Sequence, residues 1–352
     1  MDPFTLADLS LAIRYSDDQA GSRGHMQFDQ LKRREFIALL GGVAVWPLAG
    51  HAQQSADLRS IGILASQPLP PFQRFVRKLR EYGYIEGQNV RFVSRFAEGR
   101  DDRYPAMAAE LAALSLDLIV TWGTPAALAA KQATRTIPVV MAAIGDPVSV
   151  GIVSNLARPN GNITGFAAQN VDLEGKRLEL LNDLLPHVSR VGILANAANP
   201  LFDASLQSLR PAAEQLHITL DVFEIRSVGE IGAALDRLNS ARPDGVLVAA
   251  DLLLLTRRNE IAASLAKSKL PAVYPFREYA GVGGLMIHGA NLSVLSERAA
   301  GYVERVLKGA RPADLPVQLA TEFELIINLR TASIMGLTVP PTLIARADEV
   351  IE

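Results

Sequence analysis

Short apolar runs alternate with amphipathic stretches from residue 60 onward. Ser60–Ala65 (SIGILA) has the length of a buried strand. Pro70-Pro71 then reads as a turn, and Phe72–Tyr82 carries apolar residues at 72, 75, 76 and 79. Spacings of three and four place them on one face of a helix. Gly83 and Gly87 end that helix. Asn89–Phe96 alternates through Val90 and Phe92 as a second strand. Tyr104–Leu114 is a helix, Leu116–Trp122 a strand, Thr124–Ala133 a helix and Ile137–Ala143 a fourth strand, closed by Gly145-Asp146-Pro147. Pro125 falls in the first turn of its helix, where its missing N–H costs nothing.

The plan then recurs. Arg190–Ala195 (RVGILA) matches SIGILA, pairing Gly192 with Gly62 at an offset of 130. Asp244–Ala249 matches Asp117–Trp122 at 127, and Leu270–Val273 matches Ile137–Val140 at 133. Three matches in one order imply two similar α/β lobes. Strands separated by helices imply parallel sheets covered on both faces. The expected fold is therefore α/β, two Rossmann-like lobes with parallel sheets joined by a hinge. Parallel sheets bind ligands outside the carboxyl ends of their strands, where helix N-termini favour anions. Two lobes facing each other by those ends enclose a cleft. The candidate crossings are Asn162–Phe166, a second into which Gly283–Gly289 leads, and the Pro316–Thr321 region.

Charge and composition narrow the function classes. The chain has 352 residues, 49 % hydrophobic and 20 % charged, with 35 Lys+Arg against 37 Asp+Glu. A net charge of -2 without a basic stripe speaks against a nucleic-acid partner. There is no cysteine, so disulfides, thiol catalysis, Cys-ligated metals and a cysteine-borne lipid anchor are excluded. The five histidines show no H-E-x-x-H spacing, and neither a metal nor a cofactor is expected. Lys32-Arg33-Arg34-Glu35-Phe36 places paired arginines before the fourteen-residue run Phe36–Ala49, too short to span a bilayer. Gly50-His51-Ala52 then offers small residues at both positions that matter for a cut after Ala52. This order reads as a twin-arginine export signal. Residues 1–25 precede a second methionine, Met26, and read as an upstream extension; 26–52 is the signal peptide, 58–163 the first lobe, 170–288 the second, and 289–352 a C-terminal segment crossing back between them. Residues 1–52 hold five basic and six acidic residues, so the remainder carries -1. The expected location is the periplasm, as an exported, soluble monomer. NAD and ATP are scarce there, so the Rossmann-like pattern does not imply a dehydrogenase.

Several stretches resemble the ABC transporter substrate-binding proteins of the tryptophan/aromatic amino-acid type, with a type I periplasmic-binding-protein fold. They are Leu79–Val90 (LREYGYIEGQNV), Gly123–Ala127, Ala133–Val140, Gly145–Val148, Leu156–Gly165 (LARPNGNITG), Lys176–Leu181, Gly336–Leu343 and Ala345–Glu349. The likeness covers residues 60–352. It implies an inner-membrane ABC permease with its ATPase as partner and a small-molecule solute, an amino acid and often an aromatic one, as ligand. One departure is Ile287-His288, where the family usually has Ser-Tyr; His288 is thus a cleft-wall candidate that bears on which ligand is taken.

The other ligand-binding candidates follow strand ends. Ser66 follows the first strand, and Asn196 is its counterpart in the second lobe. Gly123 permits close backbone approach, and Thr124 opens a helix suited to a carboxylate. Asp146 and Asp251 are the candidate partners of a ligand ammonium, although Asp146 before Pro147 also suits a turn and Asp251 also suits a helix cap. Trp122, Tyr274 and Phe276 offer either a stacking surface or core packing. Thr164 lies in the first candidate crossing. The leading reading is a non-catalytic binding protein that closes on a carboxylate-bearing solute, an amino acid or aromatic acid, and presents it to an importer. The alternative is an exported hydrolase or isomerase using the same cleft, although the sequence shows no G-x-S-x-G elbow and no triad spacing. A repressor's ligand domain shares the fold class but lacks DNA-reading helices and does not fit the export signal.

Overall fold

The computed structural model describes residues 58–352. The signal peptide and the upstream extension read from the sequence lie outside the described residues.

The first half alternates as the apolar pattern requires. Strand β1 (Arg59–Ala65) leads to α1 (Pro70–Glu81), then β2 (Val90–Phe96), α2 (Tyr104–Ala112), β3 (Leu118–Trp122), α3 (Thr124–Ala133), β4 (Val139–Ile144) and β5 (Ile163–Ala167). The second half runs α4 (Glu174–Leu184), β6 (Arg190–Asn196), α5 (Phe202–Leu216), β7 (Thr219–Ile225), α6 (Ile231–Ala241), β8 (Gly245–Val248), α7 (Leu252–Thr256), α8 (Arg258–Lys267), β9 (Ala272–Tyr274) and β10 (Met286–Ala290). The chain ends with α9 (Leu292–Leu307), β11 (Gln318–Leu319), β12 (Phe323–Asn328), α10 (Leu329–Met335), α11 (Pro341–Ile344) and β13 (Glu349–Ile351).

Two sheets result. One has the order β11-β5-β4-β3-β1-β2, the other β13-β12-β10-β9-β8-β6-β7. The first five strands of each half thus share one order, 2-1-3-4-5, as the sequence repeat implies. Among the described residues all strand pairings are parallel except β10 with β12. Strands β3, β4 and β8 are buried at every residue, because helices cover both faces of a parallel sheet. The outer strand β7 alternates buried and exposed positions near its end.

The paired glycines and aspartates explain why the repeat is readable. A Cβ on Gly62 would stand 2.8 Å from Leu116, and one on Gly192 would stand 3.1 Å from Pro243. The residues that follow, Asp117 and Asp244, accept backbone N–H groups at the start of the neighbouring strand: Ser60 at 2.7 Å for Asp117, Ser189 and Arg190 at 2.9 Å for Asp244. Each lobe therefore locks its first strand to its third by the same pair of devices.

One boundary differs from the periodicity. Pro70 and Pro71 belong to α1 and form its first turn, after Leu69, where proline's fixed φ and absent N–H fit. The helix buries Phe75 and Leu79 and packs against α9.

The chain passes between the sheets three times: at 168–173 between β5 and α4, at Asn291 between β10 and α9, and at 320–322 between β11 and β12. The first differs from the candidate crossing Asn162–Phe166, most of which is β5 itself. There Thr164, fully buried, donates its hydroxyl to Leu315 O at 2.7 Å. That bond ties β5 to the segment returning to this sheet and removes Thr164 from ligand contact. Among the described residues no helix is long and apolar enough to cross a membrane.

Candidate functional site

The carboxyl ends of both sheets face one cavity. From the first lobe it is lined by Asp101, Tyr104, Gly123, Thr124 and Gly145; from the second by Asn196, Asn199, Leu201, Asp251 and Phe276; and from the first crossing and its helix by Asn170 and Glu174. Apolar side chains make up much of the remaining wall, including Ile144, Ile193, Phe202 and Leu206.

Helix α3 presents its N-terminus there. Its cap position is Gly123, at φ +87, which has no side chain to occupy the first-turn N–H groups. Glycine is needed both for that left-handed backbone and for space, since a Cβ would stand 3.1 Å from Leu252 of the other lobe. Thr124 Oγ1 accepts from Gly145 N at 3.1 Å, so its hydroxyl proton remains to be donated. The first-turn N–H groups, the helix dipole and this hydroxyl make an anion-binding end.

The carboxylates are arranged otherwise than the sequence suggests. Asp251 is buried and caps α7, its Oδ1 accepting from Leu253 N at 2.6 Å and Leu254 N at 3.4 Å. Its Oδ2 accepts from Asn199 Nδ2 at 2.7 Å and Asn196 Nδ2 at 3.1 Å. Both oxygens are thus engaged by the chain. Burial raises its carboxyl above the ordinary range, against the pull of those donors. Asp101, at the turn after β2, is the less satisfied acid: among the described residues its one side-chain partner is Asn196 Nδ2 at 3.3 Å. Burial first, and Asp251 second, push its carboxyl up to about 6. Tyr104 stands beside them, and burial first, then both acids, drive its hydroxyl further from ionisation.

Of the residues read from the sequence, Gly123, Thr124, Asn196, Asp251 and Phe276 line the cavity, and five others besides Thr164 do not. Ser66 is turned inward, where its Oγ accepts from Gly99 N at 3.1 Å and fixes the turn that carries Asp101. Trp122 is a core residue: its indole donates to Ser296 Oγ at 3.0 Å, and Phe72 and Phe75 meet it edge-on at 5.6 and 5.2 Å. Asp146 caps its own turn, accepting from Val148 N at 3.0 Å and Ser149 N at 3.2 Å. Tyr274 stacks on Tyr279 with ring centres 4.5 Å apart inside the second lobe. His288 lies on β10 with Nδ1 3.2 Å from Glu324 O, and burial followed by the nearby Arg177 lowers its pKa.

Sequence reading missed Asp101, Tyr104, Asn170, Glu174 and Asn199. A signal existed for Asp101: Gly99-Arg100-Asp101-Asp102 is separated by two residues from the carboxyl end of β2, the place where such sheets bind ligands.

The lobes are shut. A Cβ on Gly145 would stand 2.0 Å from Leu201 of the other lobe, and one on Gly99 would stand 2.4 Å from Val228. Glycines on the first lobe thus receive branched side chains from the second.

Two α/β lobes of matching strand order, meeting at their carboxyl ends over a shared cavity, define the type I periplasmic-binding-protein fold. A family profile described as ABC transporter substrate binding protein matches residues 72–351, and the chain belongs to that family. A protein named tyrosine-binding protein, from Clostridioides difficile strain R20291, is 28 % identical over 255 residues, which is 72 % of this chain and 73 % of that one. Among solved structures, an ABC domain in complex with L-Trp from Streptococcus pneumonia superposes with a TM-score of 0.76 at 29 % identity, covering 84 % of this chain and all of that one. A conserved domain protein from Vibrio cholerae superposes at 0.77 with 25 % identity, covering 83 % and 99 %.

Proposed function

We propose that this protein is the periplasmic solute-binding component of an ABC importer. It captures a small solute bearing a carboxylate and an ammonium, an aromatic amino acid by preference, and delivers it unaltered to an inner-membrane permease and its ATPase. The paired-arginine leader in the sequence supports the location. The names of the two relatives, one a tyrosine binder and one crystallised with tryptophan, support the ligand class.

The observation that carries the reading is that the uncapped N-terminus of α3 and the under-satisfied carboxyl of Asp101 line the same interlobe cavity. A carboxylate is held by the first-turn N–H groups and Thr124. An ammonium pairs with Asp101, because Asp251 is engaged by its cap and its two asparagines and Asp146 lies outside the cavity. Ligand bridging both lobes stabilises the closed state over the open one, which is how binding becomes a signal to a transporter.

A thermal-shift and calorimetric screen of amino acids, aromatic acids and sugars tests this. A solute present at about 100 Kd adds about 2.7 kcal/mol of stability, a clear rise in Tm. Amino acids are expected to give that rise and to be recovered chemically unchanged. A response to sugars alone, or conversion of the bound compound, overturns the reading.

A further inference from the structure

The first crossing and the start of α4 place at the cavity two side-chain oxygens that accept no aligned hydrogen bond from the described residues. Asn170 and Glu174 both line the cavity. Asn170 Oδ1 and Glu174 Oε1 are sealed from solvent, and neither has a hydrogen-bond donor among the described residues. Glu174 is 1 % exposed and Asn170 9 %.

The arrangement behind them is rigid. Arg177, wholly buried one turn along α4, lies 3.0 Å from Glu174 Oε1 as an ion pair that lacks hydrogen-bond alignment. Its Nε donates to His288 O at 2.8 Å, and its Nη1 reaches the backbone oxygen of Asn170 at 3.5 Å. Ser208 Oγ of α5 donates to Val171 O at 2.6 Å, pinning the Asn170–Val171 turn. These contacts hold the two acceptors in place and do not satisfy them. The neighbouring wall is apolar, from Val171, Phe202, Leu206 and Leu209. Buried acceptors in such surroundings are costly unless something donates to them.

We propose that Asn170 and Glu174 form a polar subsite that selects solutes whose aromatic side chain carries a hydrogen-bond donor, a ring hydroxyl or N–H, over the plain hydrocarbon ring. This rests on the reading that the cavity takes aromatic amino acids, and it names the residues that discriminate among them. A phenol donates to Asn170 Oδ1 or Glu174 Oε1. A phenyl ring leaves Asn170 Oδ1 without a donor and Glu174 Oε1 with only its ion pair to Arg177, and a site built to pair a polar group rejects an analogue that lacks it. With the Asn170 amide turned over, its nitrogen would face the same space and a hydroxyl would still be matched, as acceptor to the amide and donor to the carboxylate.

Calorimetric titration of the full chain with L-tyrosine, L-phenylalanine and L-tryptophan decides the matter. The wild type is expected to bind tyrosine at least tenfold more tightly than phenylalanine. Asn170→Ala and, separately, Glu174→Gln are expected to narrow that ratio mainly by weakening tyrosine. Equal binding of tyrosine and phenylalanine by the wild type would mean that water serves these acceptors, and it overturns the subsite while leaving the amino-acid reading intact. So would a variant that loses both ligands in proportion. Should a variant fail to fold, the wild-type ratio alone decides. If none of the three binds while another class of solute does, the underlying reading fails and the subsite fails with it.

Discussion

Asn196 Nδ2 lies 3.3 Å from Asp101 Oδ2 and 3.1 Å from Asp251 Oδ2, so one amide group joins a carboxylate of the first lobe to a carboxylate of the second. Two acids share a single neutral donor across the cleft. The second is fully engaged by the chain, and the first has no other side-chain partner among the described residues.

This has a consequence in pH. In the unfolded chain the Asp101 carboxyl has the ordinary value of 3.8, and in the shut cleft it sits at about 6. The folded, closed form thus holds a proton more tightly. The contribution of Asp101 to its stability is fully present below 3.8 and is lost as pH rises through about 6. A ligand ammonium reverses the preference, because it favours the ionised carboxylate. Affinity for an amino acid is expected to weaken, by up to about tenfold, from pH 7 to pH 5, as uptake must then displace a proton. Asp101→Asn is expected to bind more weakly at pH 7 and to show a flatter profile. Calorimetry at the two pH values checks this, and an unchanged profile in the variant would remove Asp101 from the site.

Closure depends on glycine at 145. Gly145 has an ordinary backbone conformation that alanine can adopt, yet a Cβ there would stand 2.0 Å from Leu201 Cδ1. Within its own lobe the added methyl meets Thr124 Oγ1 at 3.3 Å, a small adjustment, whereas the closed form must in addition displace a leucine that is 7 % exposed. Overpacking of this kind costs about 1–3 kcal/mol. The expected result is a loss of ligand affinity of about tenfold, with recovery in the double variant Gly145→Ala, Leu201→Ala. A double-mutant cycle measures the coupling; additive losses would show that the two residues do not meet on closing.

Trp122 supports the site from the core. Trp122→Phe removes the hydrogen bond to Ser296 and part of the packing against Phe72 and Phe75. A loss of about 1–3 kcal/mol is expected from the vacated volume and the unpaired hydroxyl, read as a fall of several degrees in Tm. Ligand affinity should change by less than about threefold. Collapse of affinity at unchanged Tm would place the indole against the ligand instead.

The sequence by itself determined the periodic part of this protein. The spacing of Phe75 and Leu79, the unbroken apolar strands and the repeated Gly62/Gly192 and Asp117/Asp244 pairs follow from local geometry, because a helix or strand fixes which residues share a face. They lead to two lobes and to a site at the carboxyl ends of strands, where Gly123, Thr124, Asn196 and Asp251 stand. Only the tertiary structure decided what each polar group meets. Ser66, Asp146 and Asp251 all follow strands in the same way, yet the first pins a turn, the second caps its own loop and the third caps a helix while joining two asparagines. Asp101 gains its role from Asn196, a residue 95 positions away. Local pattern carries no record of such pairs, because a hydrogen bond across a cleft is set by how two separately folded lobes come to rest against each other.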